Sequence, residues 1–205
     1  GWAFSWEESS CDCAKWARNN LTNLEAKMTK IKSKSWGQYA IHRFGEYLVT
    51  AELCRRGFSA TPFAGNLPHI DIMAMDEDGS FIPVQVKTIK QNSSWQFDVR
   101  NFADVQFDGN RQILKSPKDP PYPNLICVLV RRGEVYGEDM FFILTWEELR
   151  DIIYMKYSDD VVRRLGGIRP RTPQSTHYAI YPIDLVEYKD RWELFEKIRT
   201  GLHRE

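Results

Sequence analysis

The 205-residue chain carries no net charge, because 28 Lys and Arg balance 28 Asp and Glu. A global field drawing it to nucleic acid is thereby excluded; only a local basic groove would serve that purpose. No stretch of 18 apolar residues occurs, so nothing in the sequence is expected to span a membrane. The first residues lack the basic-then-apolar layout of a signal peptide. Cysteine is scarce, and four in a chain this long do not build a disulfide framework. Cys11 and Cys13 sit too close for the usual zinc spacing and have no second ligand pair. Cys54, in a predicted helix, and Cys127, in an apolar run, are expected to be buried thiols. Internal repeats and low-complexity tracts are missing too. These absences point to a soluble cytoplasmic protein of one domain, with at most an appendage.

What is present concentrates in residues 69–88. Two runs with apolar residues at every second position flank an Asp/Gly-rich turn, which predicts a hairpin: strand 69–75, turn 76–79, strand 81–88. Alternate residues of a strand share a face. Asp71 then lies with Met73 and Met75, and Gln85 and Lys87 lie with Phe81 and Pro83. If Met75 pairs with Phe81, Asp71 falls opposite Gln85, with Lys87 one pleat further along. A carboxylate, an amide and an ammonium converge on one side of a sheet whose other side holds Ile70, Ile72, Val84 and Val86.

Upstream, Ser35 with Gln38 forms a capping-box pattern and Gly57 is a natural C-cap, so a helix is expected over 36–56. At about 100° per residue, Glu46, Val49 and Leu53 fall within a strip roughly 60° wide, which aims Glu46 at the sheet. The bland alternative is a half-buried Glu46 bonded to Arg43 or Thr50. Residues 1–35 read as a separate arm, with Ala17, Leu21, Leu24, Met28 and Ile31 forming one apolar stripe. Between Lys15 and Lys34 lie six bases and one acid, so the arm either packs on the domain or its dimeric copy, or follows a nucleic-acid backbone.

The order Asp71, then Gln85-Val86-Lys87, preceded by Gly45-Glu46-Tyr47-Leu48-Val49 and Arg55-Arg56-Gly57-Phe58, resembles the PD-(D/E)XK nuclease superfamily. The match spans roughly residues 37–90. Ile70 stands where that family has proline, and Gln85 where it has Asp or Glu, which places the likeness in its Q-x-K subgroup. The resemblance implies an α/β fold of restriction-endonuclease type over residues 36–205, a mixed central sheet flanked by helices, with the helical arm of residues 1–35 in front. It implies an Mg²⁺- or Mn²⁺-dependent endonuclease acting on DNA, with no small-molecule cofactor. Glu46, Asp71, the Gln85 side chain and the Val86 carbonyl would hold the metal, and Glu46, Asp71, Gln85 and Lys87 would form the catalytic set. Losing one negative charge at Gln85 gives Glu46 more of the burden and suits one metal better than two. A non-cutting relative that binds nucleic acid or protein through the same fold stays open, as does a different hydrolase using Glu46 and Asp71 as acid and base.

Further along, Phe58–Phe63 reads as an edge strand because Pro62 limits its pairing. Trp95 to Phe107 alternates only in part. Residues 115–123, with four prolines, read as a surface loop. Residues 124–131 form a buried strand and 140–144 another, followed by a helix that Thr145 and Glu148 cap. Residues 163–173 read as a flexible basic loop in which Arg163, Arg164, Arg169 and Arg171 are candidates for nucleic-acid phosphates. His177 reads as a structural or surface residue, and a last helix near 189–201 docks Trp192, Phe195 and Ile198. Duplex symmetry and the arm's stripe together suggest a homodimer.

Overall fold

A computed structural model describes residues 37–63 and 67–202. Helix α1 (Gln38–Arg55) leads into β1 (Ser59–Pro62), β2 (Ile72–Met75) and β3 (Phe81–Ile89). Gly57, with φ of 90°, ends the helix in the left-handed conformation that glycine adopts without strain. The three strands form an antiparallel meander in which Met75 pairs with Phe81 and Ile72 with Val84. The hairpin therefore has the register its alternation predicts. Its first strand is shorter than the pattern suggested. It begins at Ile72, because His69 takes a left-handed backbone with φ of 67° and turns residues 67–70 out of the ladder.

Beyond β3 the chain crosses over to β7 (Ile126–Arg131), which lies parallel to β3, and β8 (Met140–Thr145) closes the sheet antiparallel to β7. The result is a mixed five-stranded sheet of order β1-β2-β3-β7-β8, with β1 at an edge where Pro62 is tolerated. A parallel crossover is usually carried by a helix. Here residues 90–125 carry strand β4 (Trp95–Asp98), a short 3-10 helix and the hairpin β5 (Ala103–Asp108)–β6 (Arg111–Pro117). The proline-rich stretch is thus partly strand, since β6 runs to Pro117 before the loop begins. Helix α2 (Trp146–Tyr157) starts with the expected capping box of Thr145 and Glu148, and six further residues, Ser158–Arg163, wind on as a π-helix. Strand β9 (His177–Ile180) pairs with β4, and α3 (Glu193–Leu202) ends the described chain.

Each face of the sheet owns a core. On one, Val49 and Leu53 of α1 and Trp192 and Phe195 beside and in α3 meet Ile72, Ile82, Val84, Val86, Ile126 and Val128. On the other, Trp146, Leu149 and Ile153 of α2 join Trp95, Phe97, Phe102, Cys127 and Leu129. Sequestering apolar area at about 25 cal/mol per Å² is what holds such layers together. Cys127 is fully buried and its thiol is pushed up to about 12, so it is an inert core residue. Cys54 corrects the expectation for its thiol: it faces solvent on α1, one residue past the buried Leu53. The described residues from Gln38 onward group as one compact unit. The arm, with its apolar stripe and the Ser35 cap, lies outside the described residues. Among the described residues no helix is long and apolar enough to cross a membrane.

Candidate active site

Helix α1 approaches β3 closely, and one residue permits it. A Cβ placed on Gly45 would lie 1.8 Å from Thr88 Oγ1 and 3.0 Å from Thr88 Cβ. Thr88 is itself buried, and its hydroxyl has no hydrogen-bond partner among the described residues. Glu46 is the next residue. Its side chain is only 13% exposed, on the strip shared with the buried Val49 and Leu53, and it makes a 2.7 Å ion pair with Arg43. The Thr50 hydroxyl donates to the Glu46 backbone carbonyl at 2.7 Å. Both neighbours of the bland reading are therefore in contact with Glu46, the second through main chain only.

Asp71 occupies the point where the chain joins β2. Its N–H donates to the Val84 carbonyl at 2.9 Å, and its own carbonyl accepts from Phe63 N–H at 2.8 Å. With residues 67–70 turned away, the Val86 N–H of β3 lacks the strand carbonyl that a longer β2 would offer. Asp71 Oδ2 takes that place at 2.7 Å. The carboxylate is thus fixed by the backbone of the very strand that carries Gln85 and Lys87. Oδ1 receives no hydrogen bond from the described residues.

The electrostatics bind these groups into one site. Burial pushes the Asp71 carboxyl above its ordinary range, and the Val86 N–H works against that. The negative charge of Glu46 pushes it higher still, while Lys87 and His42 pull it down. His42 is a member that the sequence reading missed. It stands one helical turn before Glu46, exposed, and its signal was the i, i+4 spacing on the same helix face. Gln85 is half-buried and registers with Cys127, and Lys87 with Leu129. The Lys87 ammonium lies 5.5 Å from the centre of the Phe97 ring, and the Lys87 carbonyl accepts from Trp95 Nε1 at 2.9 Å. Lys87 thus reaches Asp71 from the face covered by α2, and Glu46 from the face covered by α1.

Among the described residues no group of three or more His, Cys, Asp or Glu is placed to hold a metal ion. A cation would need Asp71 and Glu46 together with oxygens of another kind. The Gln85 amide and the Val86 carbonyl are of that kind, and the set is the all-oxygen one that Mg²⁺ or Mn²⁺ accepts. The unfavourable field at Asp71, half-buried beside a second acid, is the feature a cation would relieve.

The candidate arginines lie elsewhere on the chain. Arg163 and Arg164 are exposed and pair with Asp159 and Asp160, one helical turn back. Arg169 NH1 donates to the Ser175 carbonyl at 3.2 Å, and its guanidinium lies over Tyr157. Arg171 is exposed. Their loop is bonded to β6 through Gln112 N–H and the Gly167 carbonyl at 2.8 Å, which gives it an anchored path where a flexible one was expected. His177 is exposed at the start of β9.

No protein-family pattern matches the chain. None of the curated proteins matches it either. Among solved structures it is similar to a bacterial homing endonuclease, I-Ssp6803I, at a TM-score of 0.45 and 11% identity, over 82% of this chain and 98% of that one. What the fold and site define on their own geometry is a mixed α/β domain with an acid–lysine cluster where the β2–β3 hairpin joins the sheet.

Proposed function

We propose that the protein is a metal-dependent endonuclease that hydrolyses phosphodiester bonds in DNA. The observation that carries this reading is Asp71, pinned to the Val86 N–H at 2.7 Å with Glu46 and Lys87 both acting on its charge. Asp71 and Glu46, with the Gln85 and Val86 oxygens, would hold Mg²⁺ or Mn²⁺. Such a cation supplies neutralising charge at the phosphate and acidifies a water. The chain's own groups do the rest. Lys87, half-buried and held beside Phe97, orients the attacking water and balances charge building on the phosphoryl oxygens. Asp71 Oδ1 accepts no hydrogen bond from the described residues and is left for that chemistry. Val86 N–H keeps the other oxygen fixed, so the carboxylate need not reorganise during the reaction.

The test is incubation of the full chain with supercoiled and linear DNA, with Mg²⁺ or Mn²⁺ and with EDTA, beside Lys87→Ala. Cleavage that needs the cation and disappears in the variant supports the reading, and full activity in EDTA sinks it. A second reading, the same fold used as a non-cutting nucleic-acid or protein binding module, is favoured by the ion pair that occupies Glu46 and by the neutral Gln85. Binding without cleavage under every cation would select it. A homodimer would place two sites on the two strands of a duplex, and light scattering at tens of micromolar decides between dimer and monomer.

A further inference from the structure

The crossover from β3 to β7 is built around a two-stranded sheet that, among the described residues, pairs with no other strand. Its inner face is accounted for. Val105 and Leu114 pack on the core, and Gln112, 1% exposed, donates to the Pro173 and Ser175 carbonyls and accepts from the Tyr157 hydroxyl. On the outer face, among the described residues, only Arg111 has a hydrogen-bond partner for its side chain, the Gly166 carbonyl. By alternation that face presents Gln106, Asp108, Arg111, Ile113 and Lys115, and all but Ile113 are exposed. The Asp108-Gly109-Asn110-Arg111 tip is exposed in full, and Phe107 beside it is 39% exposed.

Three observations give this ribbon a partner. The first is shape: a two-stranded ribbon about 5 Å between strands fits the major groove of B-form DNA, about 12 Å wide. The deep, narrow groove of an A-form duplex does not admit it. The second is chemistry. Gln pairs with adenine, Arg and Lys with guanine, Asp with cytosine, and an aliphatic side chain meets the thymine methyl. The third is continuity. Lys87 lies over Phe97, Phe97 packs edge-on against Phe102 at 5.7 Å, and Phe102 is the residue before the ribbon. The basic loop is fastened to the ribbon's other end: Arg111 Nε donates to the Gly166 carbonyl at 3.0 Å, and Gln174 Nε2 donates to the Gly109 carbonyl at 3.1 Å.

We propose that the β5–β6 ribbon enters the major groove of B-form duplex DNA and selects sequence there through Gln106, Arg111 and Lys115, while the Arg163–Arg171 loop lies along the flanking phosphates. The assignment rests on the nuclease reading only for the identity of the polymer, and binding tests it apart from cutting.

The experiment uses the full chain with Lys87→Ala, in EDTA, so that no cleavage intervenes. Fluorescence anisotropy compares a mixed-sequence DNA duplex, an RNA duplex of the same sequence and the single DNA strand. Selection from a randomised DNA duplex pool then reads the bound sequences. The DNA duplex is expected to bind best. Gln106→Ala with Lys115→Ala is expected to relax the selected sequence and weaken the selected duplex on the order of tenfold, with an unchanged melting curve. An RNA duplex bound equally well, no binding to any polymer, or ribbon variants that select the same sequence as the parent would overturn the proposal. Tight, selective binding by a wild-type chain that never cuts would sink the nuclease reading and leave the ribbon standing.

Discussion

The two hairpins of this chain, β2–β3 and β5–β6, put similar local structure to opposite uses. In β2–β3 both strands lie inside the five-stranded sheet, and six residues of β3 register with β7. Its polar residues are held at the joint where β2 gives out, and a single carboxylate there replaces a missing ladder bond. In β5–β6 one face rests on the core and the other is left to solvent. The first hairpin fixes a few groups by backbone hydrogen bonds and sheet packing, and the second displays many groups along a surface. Rigid placement suits bond breaking, and display suits recognition of a long polymer.

The largest effect should come from breaking the first hairpin's cluster. Lys87→Ala is expected to lower the single-turnover cleavage rate by about a hundredfold to a thousandfold, as loss of one preorganised charge-stabilising donor does. Asp71→Asn keeps an oxygen for Val86 N–H and removes the charge, so it should be as inactive while folding normally. A wild-type rate from either variant, followed on plasmid, would separate the cluster from the chemistry.

The next test moves the cluster without touching its members. Gly45→Ala drives a methyl group into Thr88 and must lift α1 or twist β3. Overpacking of this kind costs about 1–3 kcal/mol, and a displacement near 1 Å costs about a hundredfold in rate. Replacing Thr88 by Ala in the same chain removes Oγ1, the atom 1.8 Å from the new methyl, but leaves the Thr88 Cβ at 3.0 Å. Rescue should therefore be substantial and incomplete. Equal losses in the single and double variants would mean that the Thr88 contact is not what displaces the cluster.

The second hairpin has its own anchor. Gln112→Ala leaves the Tyr157 hydroxyl and the Pro173 carbonyl without their partner, while the Ser175 carbonyl keeps Arg169, a loss of about 1–3 kcal/mol for buried polar groups. Thermal unfolding would show it. Because the anchor holds the loop beneath the ribbon, DNA affinity should fall more than cleavage of bound DNA does.

The difference between the hairpins also explains what could be read from the sequence. Residues 72–87 alternate cleanly, with Ile72, Ala74, Ile82, Val84 and Val86 on one side, and the turn and register followed from that; the roles expected of Glu46, Asp71, Gln85 and Lys87 came with the nuclease resemblance. Residues 95–117 alternate only in part: Gln112 is polar yet buried, and Phe107 is apolar yet exposed. Pro117 at the end of β6 made the strand resemble the loop after it. The shortened β2 was hidden because a left-handed His69 has no side-chain signature. His42 escaped because its i, i+4 spacing to Glu46 points to no site until the fold brings Asp71 within reach of its charge.

The smallest effects are pH dependences, and here two aspartates should respond with opposite sign. Burial, and then Glu46, raise Asp71, so the folded state holds its proton more tightly than the unfolded chain does. Its ionisation therefore costs stability as pH climbs past the unfolded value near 3.8, and the cost persists at neutral pH. Asp98 is the reverse case. Hydrogen bonds from Arg100, and then from Thr176, hold it well below the carboxylate range, so its contribution is present at neutral pH and lost as pH falls below the unfolded value. In EDTA, Asp71→Asn should then melt at or above the wild-type temperature at pH 7 and lose that advantage near pH 3. Asp98→Asn should melt below wild type at pH 7 and converge with it in acid. Adding Mg²⁺ should raise the melting temperature of the wild type and leave Asp71→Asn unmoved, because only the charged site gains a ligand. An Asp71→Asn variant that melts well below wild type at pH 7 would mean that the carboxylate serves the fold first, and the contrast between a strained site and a settled scaffold would fall with it.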